Sequence, residues 1–401
     1  MSDAPLSKTP WLTIIGLGED GPAGLSSASL SALEEAEVVM GPPRHLSLLP
    51  EGRAETIAWP VPFSDGMQIL DGLRGRQTVV LASGDPFWFG AGSVMARRFE
   101  PGEWRAFPGA SVFSMAAARL GWPLEKTECL GLHAAPLSRL RPVLAPGKRI
   151  IVTLRDGEAV AALAAYLDGA GFGASELAIF EALGGPRERR TVGPADALTG
   201  EFGHPVCAAI AVAGDGAVLS RGSGQSDEIF DSDGVMTKRP VRALTLSALA
   251  PNPFETLWDI GGGSGSIAIE WLLSDPTTQA ISIESRADRA ERIRDNARDL
   301  GVDRLQVVVG KAPDALGDLA RPDVIFVGGG LSDALMDELK GFTGVRLVAN
   351  AVTLESEACL IRWQSQLGGE LLRIELAQAA PLGPRLGWKS SYPVVQWSVT
   401  L

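Results

Sequence analysis

Short apolar runs, many of them ended by glycine, recur along the chain. Trp11 to Gly16 (WLTIIG) is β-branched, uncharged and closed by glycine, which predicts a buried strand. Gly16, Gly18 and Gly21 then predict a flexible loop. A helical period from Ser26 to Ala36 follows, and Val38 to Met40 opens a second strand. Thr78 to Ala82 predicts another strand, ending in Ser83-Gly84-Asp85-Pro86. Ile150 to Leu154 and Leu177 to Phe180 are further strands, with a helix over Glu158 to Asp168. The rhythm is that of α/β layers.

The pattern breaks at Gly214 to Asp233, where Gly, Ser and Asp replace large apolar residues and a linker is expected. It restarts with strands at Thr256 to Ile260, Ala280 to Glu284, Leu305 to Val309, Val324 to Val327 and Val345 to Ala349, separated by helices. Five such units fit an open, doubly wound, Rossmann-like sheet. Gly369 to Leu376 and Tyr392 to Val399 close the chain as a pair of strands. The expected division is a first module over 1–213, a linker over 214–232 and a second module over 233–401. The halves differ in glycine pattern, so no internal repeat is read.

Composition narrows the function. The 401 residues carry 45% hydrophobic and 21% charged side chains, an ordinary globular mix of two or three cores. No run approaches a membrane span, and Met1 to Pro10 has no long apolar stretch of the secretory kind, so a cytoplasmic protein is expected. Cys129, Cys207 and Cys359 have neither zinc-ligand nor disulfide spacing, and His45, His133 and His204 are scattered, so no metal is expected. A net charge of −12 argues against nucleic-acid binding but leaves room for an anionic small substrate held by a few arginines.

Asp259-Ile260-Gly261-Gly262-Gly263-Ser264-Gly265 follows a strand and opens a helix, and Glu284 ends the next strand. Such a loop lets the backbone approach a ligand, and the second carboxylate can accept from both hydroxyls of a ribose. A dinucleotide fingerprint would carry a third glycine at position 266, which is Ser266. Asp259, two residues before the first glycine, suits a cation better than a pyrophosphate. S-adenosylmethionine (SAM), with its sulfonium and ammonium, fits both features. An NAD(P)-dependent oxidoreductase and a SAM-sensing regulatory module are the competing classes. In the first half, Gly16-Leu17-Gly18, the Ser83–Gly90 loop and Pro108-Gly109-Ala110-Ser111-Val112 either converge on one crevice or are three unrelated turns.

A resemblance extends these readings. Asp233-Gly234-Val235-Met236-Thr237-Lys238-Arg239, LWDIGGGSGSIAIEW, PDVIFVGGG and RLVANAVTLE together resemble the decarboxylating C-15 methyltransferase module of cobalamin biosynthesis. IIGLGEDGPAGLS, VVMGPPRHL, the SGDP loop, FPGASVFSMAAARLGWP and LGGPRERR resemble the C-5 methyltransferase module, of the tetrapyrrole methylase fold, over about Trp11 to Ala213. Two departures stand out: Gly310-Lys311-Ala312-Pro313 lacks an acidic residue, and His133-Ala134-Ala135-Pro136 replaces a His-Gly-Arg-like stretch, leaving Arg139 or Arg141 as possible substitutes.

The resemblance implies a tetrapyrrole methylase fold of two α/β subdomains followed by a class I methyltransferase fold, with two SAM sites per chain. One would use Gly16, Gly18, Gly84, Asp85, Ser111 and Val112; the other Asp259, Gly261, Gly263, Gly265, Glu284 and the backbone at Ala312. It implies methylation of precorrin-6Y (6B) at C-5 and C-15 with loss of the ring C acetate carboxyl, giving precorrin-8X. A related enzyme acting on another anionic tetrapyrrole or metabolite is the alternative. Transfer of a methyl to an electron-rich macrocycle carbon needs alignment more than a protein nucleophile, and alignment can supply about 7–11 kcal/mol. Decarboxylation needs a poorly solvated carboxylate and a proton donor. Glu355 is the candidate donor, against a plain helix-start role. Arg44, Arg187, Arg190, Lys238, Arg239, Arg385 and Lys389 are the candidate partners of the substrate's carboxylates. Self-association is expected from the family alone, and neither membrane nor nucleic acid is an expected partner.

Overall fold

The computed structural model describes residues 10–401. The expectation drawn from the first nine residues lies outside them. The chain forms two compact units. One runs to Pro136 and resumes over Ala145–Ala217; the other comprises Leu137–Leu144 and Val218–Leu401.

The first unit holds two sheets. β1 (Leu12–Leu17), β2 (Val38–Gly41), β3 (Glu55–Ala58), β4 (Thr78–Ser83) and β5 (Trp104–Phe107) form a sheet of order β3-β2-β4-β1-β5. All its pairings are parallel. β1 is buried along its whole length, because both faces of the sheet carry core. β6 (Thr127–Gly131), β7 (Arg149–Leu154), β8 (Glu176–Glu181), β9 (Arg189–Pro194) and β10 (Val206–Ala211) form the second sheet, order β6-β7-β10-β8-β9. Only β6–β7 is parallel there. These are the two α/β subdomains of the tetrapyrrole methylase fold. The loop expected to be flexible at Gly21 is instead a tight 3-10 turn, Gly21–Gly24, followed by the helix Ser27–Glu34 capped by Ser26.

The second unit is built on β11 (Thr256–Ile260), β12 (Gln279–Glu284), β13 (Gln306–Val309), β14 (Val324–Val327), β15 (Arg346–Ala351), β16 (Glu370–Ile374) and β19 (Val394–Thr400), in the order β13-β12-β11-β14-β15-β19-β16. Strands β11 to β15 are parallel to their neighbours, and β19 enters antiparallel between β15 and β16. This is the class I methyltransferase arrangement, with core on both faces. Between β16 and β19 an exposed hairpin, β17 (Ala377–Leu382) and β18 (Arg385–Ser390), stands apart as its own two-stranded sheet.

The stretch expected to be a linker contains the boundary between the two units, at Ala217-Val218, and its ends pack on one unit each. Gly214 and Gly216 lie so close to the backbone around Gly171 that neither has room for a side chain. Leu219 and Phe230 are buried in the core of the second unit. Exposed chain includes the Ala217-Val218 junction and the run from Ser220 to Ser223. A polar composition signalled surface loop here, and the backbone amides of that loop are held by a buried carboxylate: Glu270 accepts from Gly224 N–H at 2.6 Å and Gln225 N–H at 2.9 Å. Arg242, fully buried, bonds Glu270 at 2.5 Å, Asp227 at 3.0 Å, and the carbonyls of Thr237 and Gln225 at 2.6 Å each.

Candidate cofactor and substrate sites

In the second unit, β11 ends at Asp259-Ile260 and the chain turns through Gly261 (φ 78°) and Gly263 (φ 61°) into the helix Ser266–Ser274. A Cβ on Gly261 would sit 2.7 Å from the Gly329 nitrogen, so glycine lets the loops after β11 and β14 touch. Gly265 differs from its neighbours. Its Cβ position meets Ile293 at 2.8 Å, so glycine here lets the loop pack closely against the helix that carries Ile293. The cleft, about 380 Å³, is walled by the Gly261–Ser264 loop, Asp259, Glu284, Gly310–Ala312, Gly328–Gly330 and Val235–Thr237.

Two carboxylates face this space. Asp259 is fully buried, with Ser282 Oγ 3.5 Å from its carboxylate. Burial, reinforced by the nearby Glu284, raises its pKa to about 7 against the bonds from Ser282 and the Ala268 amide. A site that holds such a carboxylate ionised calls for a cation beside it. Glu284 accepts from the Gly263 N–H at 2.9 Å and the Arg286 N–H at 3.0 Å. It therefore shapes the glycine loop and keeps free lone pairs for ribose hydroxyls. Asp259, Glu284 and the backbone at Ala312 thus line one cleft.

Sequence reasoning missed the cleft's arginine. Arg289 is one of several arginines on the charged helix Ala287–Asp299, and no pattern sets it apart. It walls the cleft and grips Asp233 at 2.8 Å, while Arg292 pairs with Asp231 at 3.1 Å. These pairs draw the segment before Val235 onto the cleft.

Other expected residues are placed elsewhere. Glu355 is exposed in the first turn of the helix Leu354–Leu367, behind the N-cap Thr353, and does not wall the cleft. The structure gives it the helix-start place. Lys238 and Arg239 are exposed at the start of the helix Arg239–Leu249, immediately after Thr237. Arg385 and Lys389 lie exposed on β18.

In the first unit the three small-residue loops do converge. A Cβ on Gly16 would overlap the Gly84 carbonyl and the Gly109 nitrogen, and one on Gly109 would sit 2.8 Å from the Gly16 carbonyl. Gly84 N–H donates to Leu17 and Gly109 N–H to Gly84, at 3.1 and 3.0 Å. The open question of the sequence is thus answered by close backbone approach. Asp85 caps its own loop, accepting from Phe87 N–H at 2.8 Å, and Ser111 caps the helix Val112–Leu120 through Ser114 N–H at 3.1 Å. Both are turn-forming residues beside the crevice. Gly18 precedes Glu19 on the same loop.

Glu19, missed in the sequence, gathers two of the three expected arginines. Its buried carboxylate pairs with Arg44, and with Arg187 at 3.5 Å. Arg44 also donates to His45 Nε2 at 2.7 Å and Ser83 Oγ at 3.2 Å. Burial and then the Arg44 charge push His45 down to about 4, so it is a neutral acceptor. One carboxylate between two guanidiniums leaves the cluster net positive. Arg190 is not part of it: its guanidinium lies over the Phe180 ring at 5.7 Å.

Residues 11–199 match the Tetrapyrrole (Corrin/Porphyrin) Methylases, and residues 228–401 match the Precorrin methyltransferase domain. A precorrin-6Y C(5,15)-methyltransferase [decarboxylating] from Sinorhizobium sp is 48% identical over 407 residues, covering 99% of this chain and 98% of its own. The chain belongs to the precorrin-6Y C(5,15)-methyltransferase (decarboxylating) family. The Mycobacterium tuberculosis protein of that name is 41% identical over 396 residues, covering 97% of this chain and 99% of its own. A crystal structure of the C-terminal domain of the Rhodobacter capsulatus precorrin-6Y C5,15-methyltransferase is 50% identical, covers 46% of this chain and all of that chain, and aligns with a TM-score of 0.44. Among the described residues no helix is long and apolar enough to cross a membrane, and no group of three or more His, Cys, Asp or Glu could hold a metal ion.

Proposed function

We propose that this chain methylates a precorrin at C-5 and C-15 and removes the ring C acetate carboxyl, taking both methyl groups from SAM at two sites. The observation that carries it is the pairing, in one chain, of the cleft built on Asp259, Gly263 and Glu284 with the glycine crevice built on Gly16, Gly84 and Gly109. SAM supplies an electrophilic methyl group on a sulfonium. The residues of each site hold it in line with the acceptor carbon and exclude water. In the C-terminal site Asp259 neutralises the ligand's positive end, Glu284 takes the ribose hydroxyls, and Ala312 offers its backbone. In the N-terminal site Gly16, Gly18, Gly84 and Asp85 line one side, and Ser111 and Val112 present the start of their helix. Arg44 and Arg187 hold a substrate carboxylate, with Lys238 and Arg239 as the nearest such cations after Thr237.

Incubation with the precorrin and methyl-labelled SAM tests this reading. The product gains two labelled methyls and loses one carbon dioxide by mass, and calorimetric titration with S-adenosylhomocysteine gives two sites per chain. One site per chain with both units folded, or a product carrying a single label, overturns it.

A further inference from the structure

The loop that follows Asp85 exposes three consecutive aromatic rings: Phe87, Trp88 and Phe89 are 43%, 37% and 50% exposed. A soluble surface seldom spends adjacent large aromatics without a partner for them. The loop is held firmly: Phe87 N–H is capped by Asp85, and Gly92 N–H returns to the Pro86 carbonyl at 2.8 Å. Phe89 adopts φ 54°, a left-handed backbone that aromatic residues rarely take. Such strain concentrates at ligand-binding positions.

Phe87 rests on Trp104, at a centroid distance of 5.6 Å, while the other two rings turn toward the helix that opens at the crevice. Trp88 and Phe89 pack on Phe113, at centroid distances of 5.0 and 5.8 Å, in the helix that Ser111 caps. Phe89 also covers the end of β6: a Cβ on Gly131 would sit 2.7 Å from its ring, so the glycine makes room for it. The loop thus reaches from the glycine crevice of the first sheet to a strand end of the second. Arg44 is bonded to Ser83, the last residue of β4, which leads into this loop.

We infer that Trp88-Phe89 is the platform on which the N-terminal unit seats the face of its tetrapyrrole, while Arg44 and Arg187 take a peripheral carboxylate. The inference rests on the tetrapyrrole reading above and adds the recognition of the ring system to it. A carboxylate-rimmed macrocycle with apolar faces is what an aromatic shelf beside a net-positive cluster complements.

The test uses the full chain and uroporphyrin III, a planar octacarboxylate, as probe. Trp88→Ala weakens porphyrin binding roughly tenfold, the scale of a lost aromatic contact, and raises the KM of C-5 methylation with kcat within about twofold. Trp88→Phe restores binding to within about twofold of wild type, and S-adenosylhomocysteine affinity stays unchanged in both variants. The platform is overturned if Trp88→Ala binds porphyrin like wild type. It is equally overturned if cofactor affinity falls in parallel, which makes the loop a cofactor wall, or if only the sedimentation mass changes, which makes it a self-association surface. A wild-type chain that binds S-adenosylhomocysteine but no porphyrin sinks the tetrapyrrole reading and the platform with it.

Discussion

At the scale of single residues, Asp259 makes the sharpest demand. Its carboxyl is raised to about 7 by burial, so the ligand-free protein carries it largely protonated at pH 6 and largely ionised at pH 8. The stability this group contributes is fully present below its unfolded pKa of about 4 and is lost as pH rises through 7. Ligand binding runs the other way, because a cation beside the carboxylate favours the ionised form. S-adenosylhomocysteine, which keeps the ammonium, should bind the C-terminal site about tenfold more weakly at pH 6 than at pH 8, with proton release on binding at pH 6. Asp259→Asn should abolish the pH dependence, read by calorimetry in two buffers of different ionisation heat. An unaltered slope in that variant would place the titration elsewhere. Glu284 illustrates why its alanine variant is a blunt tool: the same carboxylate proposed to take the ribose also fixes Gly263 N–H. Glu284→Gln keeps the side chain's size and tests the charge more cleanly.

At the scale of elements, the buried Arg242–Glu270 pair ties together the helices Arg239–Leu249 and Ser266–Ser274, the 224–227 loop and the Thr237 carbonyl of the cleft wall. Removing one partner of a buried pair costs about 3–5 kcal/mol, because the other charge is stranded. Arg242→Met should therefore lower the melting transition of the second unit by roughly 10 °C in calorimetry, while that of the first unit stays put. Pairing it with Glu270→Leu should recover part of the loss; a double variant as unstable as the sum of the singles would show that the pairing is not the cause. The same region marks the limit of what the sequence discloses. Central strands such as β1 and β11 were legible because burial on both faces leaves an unbroken apolar run. Edge strands were legible only in the second unit, as β13 and β16; in the first unit neither the edges nor the alanine-rich central β10 stood out. β3 and β9 are mostly exposed and polar, so Glu55–Ala58 and Arg189–Pro194 read as loop. Asp259, Glu284 and the crevice glycines were readable because backbone geometry demands particular residue types there. Arg289 and Glu19 were not, since their roles come from partners far away in the chain.

At the scale of the whole molecule, the question is whether two chemistries reside in two units. The boundary falls at Ala217-Val218, and the second unit also takes in Leu137–Leu144, where Arg139 pairs with Asp303 at 2.8 Å. A cut at 217 therefore leaves one short element of the second unit on the wrong fragment, and point variants in the full chain are the better instrument. Gly16→Ala places a methyl on the Gly84 carbonyl, so the N-terminal crevice cannot close as it stands. That variant should yield a decarboxylated product that carries the C-15 methyl and lacks the C-5 methyl. Glu284→Gln weakens the hydrogen bonds to the ribose by about 1–3 kcal/mol, and SAM affinity at the C-terminal site should fall by one to two orders of magnitude. Its product should carry the C-5 methyl and lack the C-15 methyl at limiting SAM, with the missing methyl restored as SAM is raised. Carbon NMR of products made with labelled methyl groups reads each position directly. If both variants emptied the same carbon, or if Glu284→Gln emptied only C-5, the assignment of one unit to one carbon would be wrong.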